Sequence, residues 1–162
     1  MMSRQRVAAV TLGLFLGLWI SAAGVPLAKA QQKPATLYQR LGGYDAIAAL
    51  VDDFVGRLAS DPHFARFFQG SSADSRRHRR QLLVEQLCEA AGGPCYYTGR
   101  SMKASHQGLG ITGADWDLML KHLTESFDKL HVRPPERKAV LGIVAGTKGD
   151  IVESGRAGGG SM

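Results

Sequence analysis

Residues 44–62 read YDAIAALVDDFVGRLASDP, and this stretch decides the class of fold. Its apolar side chains recur at intervals of three and four residues, at Ile47, Leu50, Val51, Phe54, Val55 and Leu58. That spacing places them on one face of an α-helix, which we expect to end at Asp61-Pro62 because helical backbone is disfavoured before a proline. The stretch predicts a long amphipathic helix that packs against a core.

Three further stretches of the chain have helical periodicity. Residues 71–91 predict a second helix, capped by Asp74 or Ser75, with an inner face of Leu82, Leu83, Leu87 and Ala91. Residues 112–115 begin a third helix, with an apolar line of Trp116, Met119, Leu120, Leu123, Phe127 and Leu130. A proline pair at 134–135 begins a fourth, which buries Val140, Leu141, Val144, Thr147 and Ile151. Because no stretch is convincing as a strand, the predicted fold class is all-α.

The N-terminal 30 residues have the pattern of a secretory signal peptide. Arg4 and Arg6 precede an apolar run at 7–25, and residues 28–30 (AKA) supply a small-x-small cleavage site. An uncleaved membrane anchor is the alternative, because the apolar run approaches the length that spans a bilayer. In either case we expect the domain that follows to face the periplasm or the exterior.

The rest of the chain divides into a linker at 31–36, one domain at 37–153 and a tail at 154–162. The tail is of low complexity, and we expect it to be disordered. Removing residues 1–30 leaves 17 basic residues against 14 acidic ones, so the formal net charge falls from +6 to +3. This weak basic balance gives no indication of nucleic acid as a partner.

Four arginines crowd the start of the second predicted helix, at Arg76, Arg77, Arg79 and Arg80. Such a cluster is usually a solvated face. The N-terminal end of a helix favours acidic side chains, however, so a basic cluster there is also a weak indication of an anionic partner.

The two cysteines, Cys88 and Cys95, lie seven residues apart. Their spacing matches neither a zinc site nor the Cys-x-x-Cys-His motif of covalent haem attachment. One disulfide, as expected in an oxidising compartment, and two separate thiols are equally consistent with the sequence.

An isolated histidine stands in the short segment MKASHQGLGI at 102–111, after the glycine-rich loop GGPCYYTGRS at 92–101. His106 could be a packing residue, a catalytic base or a metal ligand. The sequence has no Gly-x-Ser-x-Gly, no Glu-x-x-His pair and no two histidines four residues apart, which argues against hydrolases and dinuclear metal bundles. A haem site needs only one imidazole, apolar walls and a basic group or two for the propionates, so it remains open.

The order of motifs resembles the truncated haemoglobins, the 2-on-2 globins, and group I of that family in particular. The similar stretches are LYQRLGGYDAIAALVDDFVGRL at 37–58, Phe67-Phe68, AAGGPCYYTGRSMKASHQGLGIT at 90–112 and VLGIVA at 140–145. Together they extend from about Leu37 to Val152. The resemblance implies a 2-on-2 helical sandwich around haem b.

The same resemblance implies roles for particular residues. His106 would be the proximal iron ligand, and Phe68 the aromatic side chain wedged against the haem. Phe54 would be the phenylalanine that precedes the distal position. The glycine pairs at 42–43 and 92–93 would be loop hinges. Further side chains would line the pocket, namely Met102, Leu109, Ile111, Trp116, Met119 and Val144.

The distal side departs from the family pattern. Family members often have a tyrosine directly after the phenylalanine, where this chain has Val55. Counting back from the glycine pair at 92–93 puts Leu83 at the usual polar distal position and Arg79 one turn earlier. Counting forward from Phe68 brings His78 or Gln81 towards the iron instead. We prefer the backward count, which predicts an apolar pocket with Arg79 or Gln86 as possible hydrogen-bond donors.

The resemblance leads us to expect a secreted haem protein that binds dioxygen or another diatomic gas. Nitric oxide dioxygenation would also need an electron-donating reductase as a partner, and a membrane contact is expected only if the N-terminal segment stays uncleaved. Two alternatives remain: a weak haem peroxidase and a haem-free helical interaction module of the periplasm.

Overall fold

A computed structural model describes residues 33–153 of the chain. The predicted signal peptide, the first two linker residues and the predicted tail lie outside the described residues. Regular structure within 33–153 is helical, without a strand, and no helix there combines the length and apolarity that a membrane crossing requires. The helices are α1 (Leu37–Leu41), α2 (Gly43–Ser60), α3 (Ala65–Phe68), α4 (Ala73–Ala90), α5 (Met102–His106), α6 (Gly113–Lys129), α7 (Pro134–Ala145) and α8 (Lys148–Ile151), with a 3-10 turn at Pro62–Phe64 before α3.

Helix α2 confirms the prediction from residues 44–62 and organises the core. It ends at Ser60, directly before Asp61-Pro62, and it packs against both α4 and α6. Two clusters of buried side chains result. One joins Ile47, Ala48 and Val51 of α2 to Val84 and Cys88 of α4 and to Ala91. The other joins Leu50 of α2 to Leu123, Phe127 and Val140.

For α4, the predicted cap was wrong, and the predicted inner face is confirmed for Leu87 and Ala91 but not for Leu83. The helix is capped by Ser72, whose hydroxyl accepts a hydrogen bond from the Ser75 amide, and not by Asp74 or Ser75 themselves. The face that meets α2 carries Val84 and Cys88, whereas Leu83 stays 38% exposed. Three consecutive apolar residues at 82–84 left the orientation of the helix open, and the packing against α2 selected the stripe through Val84.

The fourth predicted helix is interrupted. Helix α7 starts at Pro134 as expected and buries Val140, but it ends at Ala145. The Thr147 hydroxyl donates a hydrogen bond to the Val144 carbonyl at 2.7 Å, and this bond competes with continued helical pairing. Thr147 therefore lies between α7 and α8, and Ile151 belongs to α8, so neither extends the buried face of α7 as predicted.

Cys88 and Cys95 form a disulfide, with their Cα atoms 5.7 Å apart. This selects one of the two possibilities that the sequence left open. The bond ties the last turn of α4 to the loop that leads to His106. Gly93 lies inside that loop, and a Cβ there would collide with the Tyr38 ring and the Cys88 sulfur. Glycine is therefore required at this point of close approach.

Candidate functional site

His106 ends the five-residue helix α5, which is capped by the Ser101 hydroxyl. Its Nδ1 lies 2.8 Å from the Met102 carbonyl oxygen. A carbonyl oxygen only accepts hydrogen bonds, so Nδ1 carries the proton and Nε2 keeps its lone pair. Within residues 33–153, Nε2 of His106 has no hydrogen-bond partner. In the neutral form of this partly buried ring, the lone pair therefore lies on an Nε2 that forms no hydrogen bond within residues 33–153.

The other four histidines of the chain are in different situations. Nε2 of His63 contacts the Asp115 carboxylate, and Nε2 of His122 lies 2.7 Å from Asp61. His78 and His131 are exposed. Among the described histidines, His122 shares with His106 partial burial, a fixed tautomer and a ring nitrogen without a hydrogen-bond partner, but in His122 that nitrogen is the buried Nδ1, which lies 3.5 Å from Glu125.

No three His, Cys, Asp or Glu side chains converge into a metal-binding group in the described part of the chain. A single imidazole fits a metal that brings most of its own ligands, as haem iron does in its porphyrin. The donor set of this chain therefore fits a haem better than a bare metal ion.

The predicted pocket residues lie on α2 to α7 and in the loop after α5. Seven of them are apolar side chains that the fold buries only in part: Phe54, Val55, Phe68, Met102, Ile111, Met119 and Val144. Leu83 and Leu109 are more open, at 38% and 43% exposure. Trp116 differs from the rest, because it is only 3% exposed and Lys148 lies over its ring. The apolar surface left incompletely covered fits the hydrophobic lining that a porphyrin needs.

The distal candidates on α4 differ in whether their side chains form hydrogen bonds within residues 33–153. Gln81 is engaged, since it hydrogen-bonds to the Tyr44 hydroxyl and to Glu85. Arg79 and His78 are exposed and form no side-chain hydrogen bond or ion pair within 33–153. Gln86 is partly buried. Of the two polar residues that the forward count favours, Gln81 is therefore already hydrogen-bonded to neighbouring side chains.

The basic cluster at the start of α4 takes part in ion pairs and hydrogen bonds that the sequence did not predict. Arg80 forms a two-pronged ion pair with Asp52 of α2, at 2.6 and 2.7 Å. Arg77 pairs with Asp74, and Arg76 donates to the Ser71 carbonyl. The pair between Arg80 and Asp52 ties α4 to α2, the two helices that carry the predicted distal residues.

A polar cluster around Asp115 was also missed. The Thr112 backbone N–H and hydroxyl each donate to Asp115 at 2.8 Å, and Arg66 and His63 also contact the carboxylate. The Thr112 amide, followed by the Thr112 hydroxyl, His63 and Arg66, holds the pKa of the buried Asp115 carboxyl at about 2. The pattern Thr112-x-x-Asp115 at a helix start resembles a capping box, and from it the contact between Thr112 and Asp115 could have been predicted. The cluster attaches the segment that carries Phe68 to the start of α6.

A second polar contact, between α6 and the residue that follows α2, lies next to this cluster. His122 of α6 hydrogen-bonds Asp61, and this bond together with the His63 amide keeps the pKa of Asp61 below its usual value. Phe64 stacks edge-on between the rings of His63 and His122, with centroids 5.3 and 5.9 Å away. The short segment between α2 and α4 is therefore held on α6 by both polar and aromatic contacts.

Comparison with known proteins agrees with this arrangement. Residues 36–153 match the bacterial-like globin family. The chain is 33% identical over 126 residues to a group 1 truncated haemoglobin GlbN of Mycolicibacterium paratuberculosis, covering 78% of this chain and 90% of that one. It is 34% identical over 118 residues to a group 1 truncated haemoglobin GlbN of Nostoc commune, covering 73% and 98%.

Solved structures give the same result at the level of the fold. The 2/2 haemoglobin of Synechococcus, crystallised in the cyanomet state with covalently attached haem, superimposes with a TM-score of 0.66 at 28% identity, covering 73% of this chain and 98% of that one. The chain is therefore a member of the bacterial-like globin family, a group I truncated haemoglobin with the 2-on-2 helical fold and a haem cofactor.

Proposed function

We propose that this globin binds dioxygen or another diatomic gas reversibly at a haem b whose iron is ligated by His106. The observation that carries the proposal is the hydrogen bond from His106 Nδ1 to the Met102 carbonyl, because it leaves Nε2 as the nitrogen with a lone pair. Since haem is the family's cofactor, the haem-free interaction module is no longer an alternative.

Each candidate residue has a definite task in this proposal. Haem iron, when bound, supplies the coordination position at which a diatomic gas is held. The Met102 carbonyl fixes the tautomer and the tilt of the His106 imidazole, as an outer-shell partner of a metal ligand does. Phe54 and Phe68 form apolar walls that exclude water, together with Leu109, Ile111, Trp116, Met119 and Val144.

The distal side of the proposed site is mainly apolar. Val55 and Leu83 offer no hydrogen bond to a bound gas, and Arg79 and Gln86 are the nearest candidates on α4 for that task. One missing hydrogen bond corresponds to roughly 1–1.5 kcal/mol, or about a tenfold change in affinity. We therefore expect faster release of dioxygen than from a site with a distal tyrosine.

Nitric oxide dioxygenation would be a second use of the same site. Conversion of one nitric oxide and one dioxygen into nitrate consumes one electron, which an external reductase would have to supply. This activity therefore requires an electron-donating partner in addition to the globin.

We also propose that the globin is exported. The signal-like pattern of residues 1–30 supports export, and so does the disulfide between Cys88 and Cys95, because such bonds persist in oxidising compartments. Mass spectrometry of the protein from a periplasmic or culture fraction would test this, with a mature chain starting at Gln31 as the expected result. A full-length chain in the membrane fraction would instead indicate an uncleaved anchor.

Gas binding is tested by spectral titration of the reduced, haem-loaded protein with dioxygen, followed by removal of the gas. We expect a saturable change in the visible spectrum that reverses under argon. Immediate irreversible oxidation would contradict reversible binding. Rapid turnover of peroxide at physiological concentrations would favour the peroxidase alternative.

A further inference from the structure

The segment that follows His106 has little structure of its own. Gly108 and Gly110 have positive φ angles of 82° and 64°, and the backbone between them forms no helix. Helix α5 has five residues, too few to be stable without tertiary contacts. The position of the His106 ring therefore depends on what holds this short helix and its glycine loop.

Glu153 holds the loop through three hydrogen bonds. Its carboxylate oxygen Oε1 accepts from the Gly108 amide at 2.6 Å and from the Gly110 amide at 3.4 Å. Its own amide donates to the Ile111 carbonyl at 2.9 Å. Two amides converging on one carboxylate form a small anion-binding concavity, and bonds to an ionised acceptor are stronger than neutral ones.

Glu153 is itself attached to the body of the globin. It follows Val152, the C-terminal cap of α8, and α8 packs against α5. Lys148 of α8 lies 5.7 Å from the centroid of the buried Trp116 ring on α6. A continuous series of contacts therefore runs from the core at Trp116, through α8 and Glu153, to the glycine loop that follows His106.

We infer that Glu153 is a positioning residue for the proximal ligand. It fixes the glycine loop after α5 and thereby the orientation of the His106 imidazole towards haem iron. This inference rests on the proposed role of His106 as that ligand. It assigns a task in haem retention to an exposed side chain that is not itself one of the predicted pocket residues.

The test compares haem-loaded Glu153→Ala, Glu153→Gln and Asp150→Ala with the unchanged protein. Asp150 is a matched control, since it is a nearby exposed carboxylate, on α8, with no side-chain hydrogen bond in residues 33–153. We expect Glu153→Ala to lose haem to an acceptor protein about threefold to tenfold faster, the factor of one lost hydrogen bond. Its iron–histidine stretching band in the reduced protein should broaden or shift. Glu153→Gln keeps an acceptor oxygen and should lie closer to the unchanged protein.

A haem-free readout accompanies these measurements. In the apoprotein the amide proton of Gly108 should resonate far downfield because of its short bond to Glu153, and Glu153→Ala should remove that shift. Equal haem loss, an equal band and an equal Gly108 shift in Glu153→Ala and Asp150→Ala would overturn the inference. Retention of the iron–histidine band in His106→Gly would instead overturn the proposed ligand, so the two failures are distinguishable.

Discussion

Val55 stands where the resemblance to the truncated haemoglobins leads us to expect a distal tyrosine. It is partly buried on α2, directly after Phe54, and packs at the edge of the cluster shared by α2 and α4. An aliphatic side chain there cannot donate a hydrogen bond. In the proposed site the difference affects how long a gas stays bound and leaves iron ligation unchanged.

Replacing Val55 with tyrosine should restore a distal donor. We expect Val55→Tyr to slow dioxygen dissociation about tenfold, the effect of one hydrogen bond of roughly 1.4 kcal/mol. Stopped-flow measurement of dissociation checks this. Val55→Phe is the matched control, because it adds the ring without the hydroxyl. If both variants change the rate equally, ring size and not hydrogen bonding governs release.

Asp115 gives a pH dependence at the residue scale. Its pKa lies at about 2 in the folded protein against 3.8 for an ordinary aspartate, chiefly because of the Thr112 amide. A carboxyl whose pKa is lowered by folding stabilises the folded state at pH values above its ordinary pKa. This stabilisation is lost as the pH falls towards the pKa of the folded state. We expect about 1 to 2 kcal/mol of stability to disappear between pH 4 and pH 2.

Urea unfolding at several pH values measures this loss. Asp115→Asn should flatten the acid limb of the stability curve, whereas Asp117→Asn, at an exposed position of the same helix, should leave the limb in place. An unchanged limb in Asp115→Asn would show that other carboxylates carry the acid sensitivity.

Single residues differ in how far their environment could be predicted. Periodicity placed Ile47, Leu50 and Val51 in the core, because a one-sided apolar face has only one way to be buried. It failed for Leu83 and Val84, since adjacent apolar residues leave the helix rotation open. The partners of Arg80 and Asp115 could not be predicted, because ion pairs between distant segments leave no periodic pattern.

At the scale of elements, the disulfide joins α4 to the loop before α5. Closing a loop of this length removes conformational freedom mainly from the unfolded chain, which corresponds to about 2 kcal/mol. We expect reduction to lower the free energy of unfolding by that amount. Urea titrations with and without a reductant measure it.

A variant with both Cys88 and Cys95 replaced by serine serves as the control for that titration. It should unfold like the reduced protein and be insensitive to reductant. Identical unfolding of the oxidised and reduced forms would contradict a stabilising role for the bond. Sequence spacing alone permitted the disulfide but could not select it, because pairing depends on how α4 meets the following loop.

The observed helix boundaries agree with the predicted ones where a proline marks them. The proline at 62 and the proline pair at 134–135 confine α2 and α7 as predicted. The break between α7 and α8 was missed, because it depends on a local side-chain bond at Thr147 and not on a proline.

At the scale of the whole molecule, two core clusters flank side chains that the protein alone covers incompletely. Haem binding should therefore stabilise the fold. With free haem a thousandfold above its dissociation constant, we expect about 4 kcal/mol of added stability. Thermal unfolding of apo and haem-loaded protein checks this, and an unchanged midpoint would contradict a haem-completed core.

The central claim is that His106 ligates the haem iron. Absorption spectra of the reduced, carbon monoxide-bound protein test it most directly, recorded for the unchanged chain, His106→Gly and His78→Gly. We predict that His106→Gly loses the histidine-ligated Soret band and regains it with added imidazole, while His78→Gly matches the unchanged chain. The same band in His106→Gly without imidazole would contradict the claim.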